Sequence, residues 1–384
     1  MENYNLKMPK SVHAGDQALE QLENIINKNI KKIVIFTSEG LMKLGLTTVP
    51  IEIIERLGID YTVITGIPPE PSYIEAQEAI DKFKEENADF IIALGGGSIM
   101  DVAKLASLLD TDEYSVKDLL DDPLLANKQV SSLMIPSTAG TGAEATPNAI
   151  VGVPEKDIKI GIVNPEMIPD YVILDGRMIQ SLPTSIAAAT GVDALCHAIE
   201  CFTSEKANPI SDTFALEALD LIINNIIVAC KNNDAFEEKG KMLLGSFYAG
   251  VAITASGTTA VHALSYPLGG KYHIAHGVSN AMLLTPVMKF NEPAIKDLLA
   301  IAYDRVVKED QHLQTIDEKS AYIIKELESI VTELKIPTSL KTFNVPKEDL
   351  EGLVEAGMSV TRLLVNNKRP LTAEDARNIY LEVL

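Results

Sequence analysis

Asp89-Phe90-Ile91-Ile92-Ala93-Leu94-Gly95-Gly96-Gly97-Ser98-Ile99-Met100-Asp101-Val102-Ala103-Lys104-Leu105 is the stretch that decides the fold. After Asp89 comes a short apolar run with β-branched members, the pattern of a strand buried on both faces. Three glycines and a serine follow, and helical spacing begins at once. Glycine lets a backbone approach a ligand closely, and the unpaired N–H groups of a helix N-terminus favour an anion. A pyrophosphate suits this turn. The Gly-x-Gly-x-x-Gly fingerprint is absent, and a tight turn without a ligand is the competing reading.

On the N-terminal side the spacing predicts a helix over 16–30, a strand at 32–36 ending at Thr37-Ser38-Glu39-Gly40, a helix over 47–57, and a strand at 60–64. A helix through Ile74, Ala76, Ile80 and Phe83 then leads into the deciding stretch. Strands alternating with helices imply right-handed βαβ units and a parallel sheet. On the C-terminal side, Ser131-Ser132-Leu133-Met134-Ile135 reads as another strand. It enters Pro136-Ser137-Thr138-Ala139-Gly140-Thr141-Gly142-Ala143-Glu144, a second loop of small hydroxyl residues and glycine. Two such loops suggest two walls of a nucleotide crevice; a polar surface turn is the plainer alternative. Runs at 157–162 and 171–175 read as further strands.

After Pro183 strand runs vanish and long helical patterns take over, with helices over 237–254 and 316–334. Asn208-Pro209 and Thr372 with Asp375 read as helix starts. The expected division is an α/β dinucleotide-binding domain over 1–183 and an all-α domain over 184–384, with a cleft between them. The helical half holds a dense group of histidines. Asp193 and His197 stand four apart in an Ala-rich helical run, so both side chains share one helix face. His262, His273 and His276 follow downstream. A carboxylate with imidazoles suits iron(II) or zinc, and a metal site built from Asp193, His197, His262 and His276 is the first hypothesis. An ordinary polar contact is the alternative for the Asp193–His197 pair taken alone.

The chain has 384 residues, 46% of them hydrophobic, enough for two large cores. With 33 basic and 54 acidic residues its formal charge is −21, which argues against nucleic-acid or membrane partners. Three cysteines, Cys196, Cys201 and Cys230, fit a reducing cytoplasm better than a disulfide framework. The N-terminus lacks a signal-peptide pattern. No stretch is expected to reach the uninterrupted apolar length of a membrane helix.

Taken together, Gly95-Gly96-Gly97-Ser98 with Asp101 and Lys104, Ser137-Thr138-Ala139-Gly140-Thr141-Gly142, Ala189 to Glu200, and His262 with His276-Gly277 resemble the iron-containing (group III) alcohol dehydrogenases. The likeness runs from the strand at 32–36 to Asn367-Lys368-Arg369. It implies a dehydroquinate-synthase-like architecture, NAD or NADP as cofactor, a divalent metal, and interconversion of a small alcohol and its aldehyde. It also implies a homo-oligomer, at least a dimer. By match of motif, Asp193, His197, His262 and His276 are the metal ligands. Gly95, Gly96, Gly97, Ser98 and Asp101 surround the pyrophosphate, and Ser137, Thr138, Thr141 and Lys159 line the rest of the cofactor.

This sequence departs from the family at several points. Tyr266 stands where many members carry a histidine assigned to proton relay; His273 or solvent is the alternative relay, and a polar pocket role for His273 is equally open. Cys196 replaces a common Thr. Ser38 stands where NAD-preferring relatives have Asp, which removes a repulsion toward a 2′-phosphate and opens the way to NADP. Ile253 replaces a common Phe, and Ala255 an Asn. Asn148 and Arg362 are candidate substrate contacts, with a surface salt bridge as the plainer reading of Arg362. The competing functions are a dehydroquinate-synthase-like lyase and a non-catalytic nucleotide or metal sensor.

Overall fold

In a computed structural model the chain is described over residues 3–26, 29–156, 158–309 and 312–384. It divides into two compact units, Lys7–Leu182 and Pro183–Leu384, the latter together with residues 3–6.

The first unit contains the strands β1 (Ser11–Ala14), β2 (Lys32–Phe36), β3 (Asp60–Ile64), β4 (Phe90–Gly95), β5 (Ser131–Pro136), β6 (Asn148–Val153), β7 (Ile158–Val163) and β8 (Tyr171–Leu174). Six form a parallel sheet in the order β1-β8-β5-β4-β2-β3. Its helices are α1 (Leu22–Ile25), α2 (Glu39–Lys43), α3 (Thr48–Leu57), α4 (Tyr73–Glu85), α5 (Gly97–Leu108) and α6 (Val116–Asp121). Alternate residues of the central strands enter different cores. Val34, Phe36, Ile91, Ala93 and Met134 pack in one cluster. Ile33, Ile35, Phe90, Ile92, Leu94, Leu133 and Ile135 pack in another. Burial on both faces is why these strands read as nearly continuous apolar runs.

Three expectations change. The helix over 16–30 is a 3₁₀ turn (Ala18–Gln21) followed by the short α1, with 27 and 28 outside the described residues. The Leu19 N–H donates to the buried Asp175 carboxylate at 3.1 Å, which fixes this segment by a long-range contact that periodicity does not show. The strand placed at 157–162 begins with Asp157, outside the described residues; the rest pairs antiparallel with β6, which the sequence reading lacked. β1, also unread, contains only Val12 as a β-branched apolar residue.

Lys104 of α5 holds the second loop in place. Its ammonium is fully buried, pairs with Asp101 at 2.9 Å, donates to the Ala143 carbonyl at 3.0 Å, and also reaches the Asn148 carbonyl.

The second unit is built from α7 (Thr184–Phe202), α8 (Pro209–Lys231), α9 (Phe236–Ala255), α10 (Ala260–Tyr272), α11 (His276–Val306), α12 (Ile316–Glu333), α13 (Leu350–Ser359), α14 (Thr361–Leu364) and α15 (Ala373–Val383). Asn208 caps α8 and Thr372 caps α15, each in a capping box as the sequence predicts. α7 packs against α8, α9, α10 and α11. The expectation about apolar length does not hold by composition. α7 and α8 have mean hydropathies of 1.2 and 1.6, long and apolar enough to cross a bilayer. For α7 the reason is packing: most of the helix is buried against its neighbours, and such a core helix is apolar over most of its surface.

Replacing Lys104 by Met is expected to lower stability by about 3–5 kcal/mol, because Asp101 and the Ala143 and Asn148 carbonyls lose their buried cation. Urea denaturation followed by circular dichroism measures this; an unchanged midpoint would refute the role given to Lys104.

Candidate active site

Three helices converge on one carboxylate. Asp193 and His197 lie one turn apart on α7, His262 enters in the first turn of α10, and His276 is the first residue of α11. Asp193 Oδ1 lies 3.5 Å from His276 Nε2, 3.6 Å from His262 Nε2 and 4.0 Å from His197 Nε2. One ligand atom from each of the four residues falls within 4.8 Å of all the others. Gly277 explains how α11 comes so close to α7. A Cβ there would meet the Ala189 carbonyl oxygen at 2.1 Å, so any other residue would push the helix start away.

The electrostatics fit a cation. Asp193 is 2% exposed. Burial pushes its carboxyl up, but His197, His276 and His262 outweigh burial and hold it well below the usual carboxylate range. Burial pulls the His197 imidazole down to about 4, against the pull of the Asp193 carboxylate. Burial pulls His262 down as well, but the carboxylates of Glu200 and Asp193 overcome it and hold the ring up to about 9. Atoms bound to one ion at about 2.0–2.2 Å sit a few ångströms from one another, the spacing found here. The donor set of one carboxylate and three imidazoles suits iron(II) or zinc.

Two residues that sequence reasoning passed over complete the centre. Glu200, one turn beyond Cys196 on α7, is fully buried. Its Oε2 meets His262 Nδ1, which leaves Nε2 as the ring atom facing Asp193. Its Oε1 accepts from the Thr259 N–H at 3.0 Å, the Thr259 hydroxyl at 2.7 Å and the Val261 N–H at 2.8 Å. One carboxylate thus orients a donor ring and ties down the start of α10. Asn280, one turn after His276, donates from Nδ2 to Asp193 Oδ1 at 2.7 Å and lies 3.2 Å from both His262 Nε2 and His276 Nε2. The signal for both was present in the sequence: Glu200 is seven residues after Asp193 and Asn280 four after His276, so each returns to its ligand's helix face.

Tyr266 follows His262 by one turn, and its ring centre is 6.0 Å from that of His276. Burial pushes its phenol up, and Arg362 offsets this only in part. Arg362 of α14 reaches the Tyr266 hydroxyl at 3.4 Å. His273 is exposed at the left-handed C-cap of α10 (φ 53°) and stands outside the four-residue cluster. Ile253 is half-buried in the last turn of α9. Cys196 is buried, consistent with helix packing.

In the first unit, the parallel strands β2, β4 and β5 end at one edge of the sheet, the usual place for a ligand in such a fold. Ser38 follows β2 and caps α2, its Oγ accepting from the Leu41 N–H. Gly95, Gly96, Gly97 and Ser98 link β4 to α5. The loop after β5 lies directly on them: the Ser137 N–H donates to the Gly95 carbonyl at 2.9 Å. A Cβ on Gly96 would be 3.4 Å from Thr138 Oγ1, and one on Gly97 would be 3.0 Å from Thr141. The glycines are what let the two loops touch. Ser98 Oγ accepts from the Glu70 N–H at 2.9 Å, and Lys159 pairs with Glu70 at 2.7 Å. The Asp101 carboxylate binds Lys104 and the Ile150 N–H at 2.9 Å, so its role in this structure is to hold the loops together. Asn148 opens β6, half-buried.

Glu200→Gln and Asn280→Ala are each expected to weaken binding of zinc or iron(II) by roughly 10- to 100-fold, as loss of a partner to a ligand commonly does. Competition against a chelating dye measures this. Wild-type affinity in both variants would contradict the orienting roles.

Comparison with known proteins agrees with this geometry. A family model described as iron-containing alcohol dehydrogenase matches residues 9–176, and one described as the C-terminal part of the Fe-containing alcohol dehydrogenase family matches residues 187–384. Long-chain-alcohol dehydrogenase 1 of Geobacillus thermodenitrificans is 34% identical over 97% of this chain and 94% of its own length. Sulfoacetaldehyde reductase of Bilophila wadsworthia is 31% identical over 96% of this chain and 95% of its own. The solved structure of an alcohol dehydrogenase from Oenococcus oeni superposes with a TM-score of 0.93 at 28% identity, covering 100% of both chains. The matched segments span nearly the whole sequence, and the chain belongs to the iron-containing alcohol dehydrogenase family.

Proposed function

We propose that the chain interconverts a small primary alcohol and its aldehyde, using NAD or NADP and a divalent cation held by Asp193, His197, His262 and His276. The observation that carries this is the convergence of those four donors within 4.8 Å. When bound, the cation supplies a Lewis acid for the substrate oxygen and the nicotinamide supplies the hydride acceptor or donor. Around them the protein positions and protects. Glu200 fixes the His262 ring, and Asn280 holds the Asp193 carboxylate. Tyr266 carries a phenol that is neutral at neutral pH and that burial pushes further up, so it is placed to act toward substrate as a hydrogen-bond donor. Gly96, Gly97 and Ser98, with Ser137, Thr138 and Thr141, form the surface proposed for the pyrophosphate and the neighbouring ribose.

We place both NAD and NADP within reach of the enzyme. Ser38 offers no charge against a 2′-phosphate, and the nearby Glu39 carboxylate is drawn to Lys43 at 3.1 Å. The reducing cytoplasm is the proposed compartment, supported by three cysteines that are all buried free thiols. The Bilophila relative, named for sulfoacetaldehyde, supports a short, functionalised aldehyde as substrate.

A nicotinamide absorbance assay with a panel of short alcohols and aldehydes, with and without iron(II) or zinc, tests the reading. Metal-dependent turnover is expected, and His262→Ala is expected to abolish metal binding and turnover together. Confirmed metal occupancy with no turnover on any member would favour a sensor instead. Ser38→Asp keeps a good helix cap but adds a charge. It is expected to lower kcat/KM for NADPH relative to NADH by at least about tenfold; an unchanged ratio would place the adenosine ribose elsewhere.

A further inference from the structure

Among the described residues, Arg362 is an arginine that is exposed and has no carboxylate within ion-pair distance. Arg56, Arg177, Arg305 and Arg377 each meet one or more acids. Arg369 instead lies over the Phe290 ring at 4.0 Å. The chain carries 54 acidic residues, so an arginine left without one is against the trend of its surface. A surface salt bridge, the plainer reading of Arg362, is not what the structure shows.

What Arg362 has instead is Tyr266. Its Nη2 lies 3.4 Å from the phenol oxygen, and its guanidinium carbon is 6.0 Å from the centre of the Tyr266 ring. Tyr266 in turn is 6.0 Å from the His276 ring, one of the four converging donors. Arg362 is therefore one aromatic ring removed from the proposed metal centre. The chemistry of the intermediate residue matters. A neutral phenol accepts a hydrogen bond from guanidinium and orients it without cancelling its charge, whereas a carboxylate there would neutralise it. α14 is short but packs on α10, the helix that carries both His262 and Tyr266, so the guanidinium is held at a fixed remove from the donors.

We propose that Arg362, positioned by Tyr266, is an anion subsite that selects substrates carrying an acidic group a few bonds from the reacting carbon. The substrate class is a short ω-hydroxy acid or sulfonate and its aldehyde. This rests on the alcohol–aldehyde reading above. Guanidinium matches a carboxylate or sulfonate through two parallel N–H donors. An extended carbon chain advances roughly 1.2 Å per bond, so a substrate of two to four carbons suits a separation of about one ring. The alcohol end meets the metal centre while the acid end meets Arg362.

The test uses the full-length, metal-loaded enzyme and substrates matched in length: 4-hydroxybutanoate against butan-1-ol, and 2-hydroxyethanesulfonate against ethanol. The wild type is expected to favour the acids in kcat/KM, and that preference should fall as sodium chloride is raised. Comparing the two acids separates carboxylate from sulfonate selection. Arg362→Ala is expected to lower the acid-to-neutral ratio by about 10- to 100-fold, the effect of one lost charge-assisted contact, mostly through KM. Arg362→Lys should restore part of it, and Tyr266→Phe should lower the ratio by less than Arg362→Ala. A wild type that favours the neutral alcohols overturns the proposal, even where the variants do not fold. So does a ratio that Arg362→Ala leaves unmoved, or an equal loss on all substrates with weakened NADH binding, which would assign Arg362 to the cofactor. Absence of any alcohol turnover by the wild type would instead remove the functional reading beneath it.

Discussion

A negative charge buried among three imidazoles is the constraint on which the second unit depends. Asp193 is almost fully removed from water and stays ionised because the rings around it favour the charged form. Burying a lone carboxylate is unfavourable by several kcal/mol unless opposite charge and hydrogen bonds compensate. A divalent cation held there would give that compensation and satisfy the four donors at once. Three helix starts and faces are arranged to make it possible, and each arrangement has a local cause. The i,i+4 spacing on α7 aims two donors together, Glu200 ties the first turn of α10, and Gly277 removes the side chain that would keep α11 away.

The first unit solves a different problem with small residues. Two loops following β4 and β5 are in contact because Gly96 and Gly97 leave room for Thr138 and Thr141. The buried Lys104 then holds the floor of that arrangement by collecting the Asp101 carboxylate and several loop carbonyls. Glu144, in the same loop, is fully buried, and burial pushes its carboxyl up to about 7. Its Oε1 is without a hydrogen-bond partner among the described residues.

Most of the fold was legible in the sequence because burial on both faces writes a continuous apolar run, as in β2, β4 and β5. The long helices were legible through spacing and caps such as Asn208 and Thr372. What escaped depended on partners far along the chain. β6 makes sense only once β7 is beside it, and the segment at Ala18–Gln21 is set by Asp175. The site divides the same way. The four donors were readable as residue types with metal affinity, whereas the roles of Glu200 and Asn280 show only once their partners on other helices are in place. Asp101 looked like a phosphate neighbour from its place in the motif, yet its carboxylate is engaged by Lys104 and Ile150. Arg362 could be named from sequence but not weighed, because its lack of an acidic partner among the described residues is a property of the folded surface.

One ion is proposed to sit at the point where the four donors meet. Anomalous diffraction from crystals soaked in zinc or iron(II), recorded on either side of the metal absorption edge, tests it directly. One strong peak is expected about 2.0–2.2 Å from an oxygen of Asp193 and a ring nitrogen each of His197, His262 and His276. A peak at other residues, or none at this point in metal-saturated crystals, would contradict it.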